Sequence, residues 1–395
     1  MCDPWLSIIG INEDGLNGLS DASRAALSGA EIVFGGSRHL ELAGVGDKGR
    51  PWPVPFSVEP VLALRNTKVA ILASGDPFWF GAGGSIAKHL KATEWRSYPA
   101  PSTFALAASA LGWRLEETLC HGLHAAPFER LVPVLSAGVK VICLLRDGDA
   151  PKALAAWLTD KGFGPSPLYI LECLGGSRER IRTTTAQDFD LTNTSAPVAV
   201  AIDCAGAPGL SQASGLEDDL FASDGQITKR PVRALTLSAL APRPKETLWD
   251  IGGGSGSVSV EWCLAASGAE AVTIELRSDR CNNIRANAEN FGLSHRIKVV
   301  EGAAPDALAH HPAPDAVFIG GGASKEMLDA LWHMLPQGTR IVANAVTLET
   351  ETLLTNWHAT KGGRLMRFEI AEATPLGRMR GWDRVRPIVQ WSGTR

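Results

Sequence analysis

The run Leu248-Trp249-Asp250-Ile251 breaks into Gly252-Gly253-Gly254-Ser255-Gly256-Ser257, and a helical pattern follows over 257–267. A second apolar run, Ala271-Val272-Thr273-Ile274, closes on Glu275. A strand, a glycine loop and a helix in that order can seat a nucleotide-like ligand, because backbone without side chains approaches it closely. Residue types then narrow the ligand. A dinucleotide fingerprint needs glycine at 257 or 259, and both are serine. A phosphate-cradling P-loop needs a lysine that this loop lacks. What remains suits an adenosine ribose without phosphate, its hydroxyls donating to Glu275. S-adenosylmethionine is such a ligand.

The elements that must hold these residues read as an α/β chain. Apolar runs at 246–251, 271–276, 297–300, 314–319 and 339–343 alternate with helical stretches at 257–267, 279–291, 304–309, 324–335 and 349–360. That alternation predicts a Rossmann-like, mostly parallel sheet with helices on both faces. Extended runs at 364–371 and 385–391 add an antiparallel edge pair, for a sheet of about seven strands. Gly252–Gly256, Glu275, Gly302 and Gly320 all fall at carboxyl ends of strands, where open α/β sheets bind ligands.

The N-terminal half also alternates, with strands expected at Trp5–Ile9, Glu31–Phe34, Lys68–Ala73, Lys140–Leu145, Leu168–Glu172 and Val198–Ile202. Loops follow at Gly10–Gly15, Ser74-Gly75-Asp76-Pro77 and Pro99–Phe104, the last opening a helix over Ala105–Leu111 capped by Ser102 or Thr103. Small and turn residues over 205–215, then Glu217-Asp218-Asp219, separate the halves. The division is a domain at 1–205, in lobes of about 1–99 and 100–205, a linker at 206–224 and a domain at 225–395.

Composition sets outer bounds. A chain of 395 residues with 45% hydrophobic and 20% charged residues is a multidomain globular protein. A net charge of −4 offers no basic footprint for nucleic acid. Seven scattered cysteines (2, 120, 143, 173, 204, 263, 281), with no C-x-x-C pair, fit reduced cytoplasmic thiols. Asp3 and Pro4 interrupt any signal peptide, and no apolar run spans a bilayer. A cytoplasmic enzyme is expected, with no metal and no membrane partner. His310-His311 lies in a Pro-flanked loop without ligand spacing, and the tryptophans read as core filler, Trp79 and Trp382 excepted for their Gly-rich surroundings. Taken singly, Gly75-Asp76-Pro77 is an ordinary turn, and Thr228, before Lys229-Arg230-Pro231, is a helix N-cap.

Several longer runs point further. Gly225-Gln226-Ile227-Thr228-Lys229-Arg230-Pro231-Val232-Arg233-Ala234-Leu235, Asp250 to Ser257, Asp315-Ala316-Val317-Phe318-Ile319-Gly320-Gly321 and Asn344-Ala345-Val346-Thr347-Leu348-Glu349-Thr350 together resemble the decarboxylating precorrin methyltransferase domain of cobalamin biosynthesis. Ile8-Ile9-Gly10-Ile11, Val33-Phe34-Gly35-Gly36-Ser37-Arg38-His39-Leu40, Ala73-Ser74-Gly75-Asp76-Pro77-Phe78 and Pro101-Ser102-Thr103-Phe104 look like a two-lobed tetrapyrrole methylase. The resemblance covers essentially the whole chain. It implies one S-adenosylmethionine per domain, with S-adenosylhomocysteine as product. Thr228, Asp250, Gly252, Gly253, Gly254, Ser255, Gly256, Glu275, Gly302, Ala303, Ala304 and Gly320 would form the C-terminal site. Gly10, Gly75, Asp76, Pro77, Ser102 and Thr103 would form the N-terminal one. Where the family often carries Asp, this chain has Ala303, so contact to adenine there would come from backbone. The family methylates carbons 5 and 15 of a precorrin and removes carbon dioxide from the acetate at carbon 12. A homo-oligomer is also implied.

Methyl transfer from a sulfonium needs alignment and water exclusion more than a strong nucleophile, and positioning can lower such a barrier by ~7–11 kcal/mol. Decarboxylation leans on the substrate, whose conjugated ring accepts the released electrons. A polycarboxylate substrate calls for arginines, and Arg378, Arg380 and Arg384 around Gly381-Trp382 are the candidate clamp. Two competing readings are an NAD-dependent oxidoreductase, disfavoured by Ser257 and Ser259, and a methyltransferase of another substrate whose N-terminal half is a non-catalytic binding module.

Overall fold

The computed structural model describes residues 4–308 and 310–395. Cys2, Asp3 and the last residue of the helix expected over 304–309 lie outside them. Contacts divide the chain into two compact units, one running to Phe128 and resuming over Leu135–Pro208, the other formed by Glu129–Val134 and Gly209–Arg395. Among the described residues, no helix is long and apolar enough to cross a membrane.

The first unit contains two five-stranded sheets. Strands β1 (Leu6–Ile11), β2 (Ile32–Gly35), β3 (Gly49–Pro51), β4 (Val69–Ser74) and β5 (Trp95–Tyr98) form a parallel sheet in the order β3-β2-β4-β1-β5. Strands β6 (Thr118–Gly122), β7 (Lys140–Leu145), β8 (Pro167–Glu172), β9 (Arg180–Thr185) and β10 (Val198–Asp203) form a mixed sheet in the order β6-β7-β10-β8-β9. The six strands expected from sequence are all present. The four that escaped, β3, β5, β6 and β9, are the edges of the two sheets. An edge strand is partly wetted and mixes polar residues into its run, so its apolar pattern fades; Arg-Ile-Arg-Thr-Thr-Thr of β9 is the plainest case.

The second unit is built on a seven-stranded sheet of β11 (Thr247–Ile251), β12 (Glu270–Glu275), β13 (Ile297–Glu301), β14 (Ala316–Ile319), β15 (Arg340–Ala345), β16 (Arg364–Phe368) and β19 (Ile388–Thr394). Its order is β13-β12-β11-β14-β15-β19-β16, parallel through β15 and antiparallel for the last two. One buried cluster, with Trp262, Leu237 and Ile284, packs one face, and another, with Trp249, Leu331 and Trp391, packs the other. Between β16 and β19 the chain makes an exposed hairpin, β17 (Ala371–Leu376) with β18 (Met379–Arg384). The expected helix at 304–309 is instead a single 3-10 turn, Asp306–Leu308, after Pro305.

The segment expected as a linker does not behave as one throughout. Leu216 and Phe221 are buried in the core of the second unit, and Phe221 stacks on Phe291 at 4.9 Å. The Gly215 and Leu216 N–H groups donate to the buried Glu261 carboxylate at 2.6 and 2.9 Å. Two apolar anchors and a carboxylate that needs donors draw residues 209–224 into that unit.

Candidate functional site

In the second unit, the carboxyl ends of β11, β12 and β14 open into a cavity of about 820 Å³, lined among others by Gly252, Gly253, Gly254, Glu275, Ala303 and Gly320. β11 turns into the helix Ser257–Ala265 through the glycine loop. Gly254 adopts φ +57°, a conformation that side chains resist. A Cβ at Gly253 would lie 2.3 Å from the Thr273 methyl, so the loop can rest on β12 only as bare backbone. The Glu275 side chain, 6% exposed, is aimed by the loop itself, accepting from the Gly254 N–H at 2.9 Å and from the Arg277 N–H at 3.1 Å. Each carboxylate oxygen keeps lone-pair capacity for a further donor, such as a ribose hydroxyl.

Thr228, Gly302 and Ala304 also stand on the cavity wall. Thr228 does not cap the following helix, Arg230–Leu240, whose N-cap position is Lys229 without a side-chain cap bond. Its carbonyl accepts instead from the Arg233 guanidinium at 2.6 Å. Arg233 is fully buried and bonds Glu261 at 2.5 Å and Asp218 at 3.0 Å. Glu261 belongs to the helix behind the glycine loop, so this ion pair ties Thr228 and residues 215–218 to the same scaffold. Asn344, at the end of β15, is locked between Thr236 Oγ1 at 3.0 Å and the Gln390 amide at 2.9 Å while lining the cavity.

Three residues expected in this site are placed behind the wall rather than on it. Asp250, Ser255 and Gly256 are missing from the cavity lining. Asp250 is 1% exposed, accepts from Ser259 Oγ at 2.7 Å with one oxygen and has no partner for the other among the described residues. Burial pushes its carboxyl up to about 6. Ser255 Oγ is likewise buried without a partner. The apolar strand that makes the loop also sinks the residues flanking it. Arg378, Arg380 and Arg384 are exposed on and beside the β17–β18 hairpin and do not line the cavity, as Trp382, 75% exposed, also shows. The cations on the wall are Lys229, Arg280 and Arg386.

The first unit has its own cavity, of about 340 Å³, reached by Ser102 and Thr103 and by Trp79, whose ring packs on Phe104 at 4.8 Å. Gly10, Gly75, Asp76 and Pro77 are not on its wall. A Cβ at Gly10 would fall 1.8 Å from the Gly75 carbonyl oxygen, so the loops after β1 and β4 nest backbone to backbone. Asp76 accepts from the Phe78 N–H at 2.8 Å, and Ser102 caps the helix Thr103–Leu111 by accepting from the Ala105 N–H at 3.1 Å.

A charged cluster in this cavity went unassigned in the sequence. The Glu13 side chain, 6% exposed, pairs with Arg38 and, at 3.1 Å, with Arg178. Arg38 also reaches Ser74 Oγ at 3.0 Å and His39 Nε2 at 2.9 Å, and His39 Nε2 meets Ser74 Oγ at 2.8 Å. Burial, then the Arg38 charge, pulls His39 down to about 4, so its ring is neutral at pH 7 and accepts from its neighbours. The run Gly35 to Leu40 carried this signal, but only the fold brings Glu13, Arg38 and Ser74 together from the ends of different strands.

Residues 6–190 match the family of Tetrapyrrole (Corrin/Porphyrin) Methylases, and residues 219–395 match the Precorrin methyltransferase domain. Fold and site therefore define a two-part tetrapyrrole methyltransferase. A Sinorhizobium relative named precorrin-6Y C(5,15)-methyltransferase [decarboxylating] is 47% identical, covering 99% of this chain and 97% of its own. A Mycobacterium tuberculosis relative of the same name is 37% identical, covering 98% and 99%. The crystal structure of the C-terminal domain of precorrin-6Y C5,15-methyltransferase from Rhodobacter capsulatus is 63% identical over 47% of this chain and 100% of its own, with a TM-score of 0.46. The chain belongs to the family of decarboxylating precorrin-6Y C(5,15)-methyltransferases. Membership implies S-adenosylmethionine as methyl donor, and the second unit's residues fit it: a side-chain-free cradle, a strand-end carboxylate and no phosphate-binding lysine in the loop.

Proposed function

We propose that this chain methylates a precorrin at carbons 5 and 15 and removes carbon dioxide from the acetate at carbon 12, each unit holding its own S-adenosylmethionine. The observation that carries the reading is the backbone-only loop Gly252–Gly254 facing Glu275 in one cavity, in a chain that resembles relatives of that activity from end to end. The second unit carries the decarboxylation in this reading, and the first unit the other methylation.

When bound, S-adenosylmethionine supplies a methyl group on a positively charged sulfur that leaves as a neutral thioether. The chain's own residues supply placement. Glu275 fixes a ribose edge, Gly252–Gly254 and Gly320 let a ligand approach backbone, and Thr228 is held against the cavity through Arg233. Val346, Ile388 and Met327 present apolar wall that excludes water from the reacting carbon and from the departing carboxylate. In the first unit, Arg38 offers a donor to a substrate carboxylate, and neutral His39 takes the Ser74 hydroxyl proton as acceptor, which leaves the Ser74 oxygen facing Arg38.

Calorimetric titration of the full chain with S-adenosylhomocysteine tests the reading. Two equivalents per chain are expected, with no heat from NAD. One equivalent would leave the first unit a non-catalytic binding module, and NAD binding in the second unit would overturn the assignment altogether.

A further inference from the structure

The larger cavity has more cationic wall than a sulfonium ligand needs. Among the described residues, Lys229, Arg280 and Arg386 line it against one carboxylate, Glu275. A positively charged sulfur gains nothing from cations, so any that lacks a protein anion answers to an anionic group of a ligand. The cavity's volume of about 820 Å³ agrees, lying high in the range of ~300–1,000 Å³ that small-molecule sites span.

The three cations are not equivalent. Lys229 Nζ lies 3.6 Å from Asp218, and Arg280 Nε bonds Asp224 at 2.9 Å. Arg386 has no hydrogen bond or ion pair to any described residue. Its backbone is nevertheless fixed. The neighbouring Val385 N–H donates to the Ile370 carbonyl at 3.0 Å, and Pro387 holds Arg386 extended just before β19 begins at Ile388. An arginine on a pinned backbone loses less freedom when it grips a ligand.

Arg386 also stands in the partition between this cavity and a smaller one of about 410 Å³, together with Lys229, Val232, Val385 and Ile388. The smaller cavity is balanced, with Glu217, Asp218 and Glu372 facing Lys229, Arg230 and Arg386. The larger is not. An anionic group therefore settles on the larger cavity's side of the partition, against Arg386 and beside the apolar Val385 and Ile388.

We infer that Arg386, exposed but on the cavity wall, is the specificity-determining residue that grips a peripheral carboxylate of the macrocycle in the second unit, a role the hairpin arginines, which do not line the cavity, do not fill. The inference rests on the proposed placement of donor and macrocycle in this cavity. A bidentate guanidinium–carboxylate contact holds the ring by its rim and leaves the carboxylate that departs against uncharged wall, where no cation stabilises it before it is lost.

The test uses the full-length enzyme with Arg386→Gln, Arg386→Lys and Arg378→Gln, following carbon dioxide release as a function of precorrin concentration. Arg386→Gln should raise KM for that step by about 10- to 100-fold, the weight of a lost charge-assisted hydrogen bond, with kcat within about threefold. Arg386→Lys should recover part of the loss, and Arg378→Gln should match wild type. Equilibrium binding of uroporphyrin, a tetrapyrrole with eight carboxylates, should show one class of sites weakened in Arg386→Gln alone. Unchanged KM and binding in Arg386→Gln, or a rise in KM in Arg378→Gln instead, overturns the inference. So does equal loss of S-adenosylhomocysteine affinity in Arg386→Gln, which would place the residue on the donor's own carboxylate or in the scaffold. Failure of the wild-type second unit to bind S-adenosylhomocysteine would sink the underlying site assignment, a result separable from all of these.

Discussion

Asp250 provides a stability test whose sign and size follow from its surroundings. Its carboxyl lies beneath the glycine loop, 1% exposed, with Ser259 on one oxygen and nothing on the other. Burial raises it from 3.8 to about 6, Ser259 opposes that rise, and the nearby Glu275 charge adds to it. A raised carboxyl binds its proton more tightly in the folded chain than in the unfolded one. The stability it contributes is therefore complete below 3.8 and is lost as pH climbs through about 6. The full difference is worth ~3 kcal/mol, and roughly half of it falls between pH 5 and pH 8. Asp250→Asn abolishes the ionisation and keeps an oxygen for Ser259. The unpaired amide it introduces costs about 1–3 kcal/mol, but that cost does not vary with pH and cancels between conditions. Hydrogen-exchange protection of the β11 amides, compared between variant and wild type at each pH, isolates the second unit. The variant should gain ~1 kcal/mol on wild type between pH 5 and pH 8. Parallel profiles, or a variant that loses ground as pH rises, would refute the burial argument.

Gly253→Ala should abolish S-adenosylhomocysteine binding in one class of sites, because its Cβ meets the Thr273 methyl at 2.3 Å; Gly253→Ala with Thr273→Ser, which removes that methyl and keeps the hydroxyl, should restore much of it in the same titration. Glu275→Gln should weaken the same class by about 10- to 100-fold through loss of a charged acceptor, leaving the other class untouched. In the first unit, Glu13→Gln strips Arg38 and Arg178 of their shared anion. Both arginines are partly solvated, so the cost should be about 1–2 kcal/mol rather than that of a fully buried pair, read as a lower thermal midpoint of that unit.

The glycine loop and Glu275 were legible in the sequence because their chemistry is local: bare backbone after one strand, a carboxylate after the next. β11 through β15 were legible because both faces of the sheet are covered, which leaves near-continuous apolar runs. The four edge strands of the first unit and the β17–β18 hairpin lack that cover, and their patterns blur. Depth was the other thing hidden. Nothing in Leu248–Ser257 distinguishes Gly253, which meets the ligand space, from Asp250 and Ser255, which lie behind it. The Glu13–Arg38–Ser74 cluster was invisible for a topological reason, since β1, β2 and β4 bring together residues far apart in the chain. Arg386 was passed over for the denser hairpin arginines, although only the backbone path after Ile370 decides which of them reaches the cavity.

The insertion of β19 between β15 and β16 also governs the order of assembly. β16 is synthesised before β19, yet among the described residues its one neighbour in the sheet is β19, reached after the whole hairpin excursion has been made. Until β19 arrives, β15 and β16 each present an open, unpaired edge, a state that invites pairing with another chain. Long-range pairings of this kind are slow to close, so the nascent second unit passes through a stage in which its sheet has a gap rather than merely a missing end.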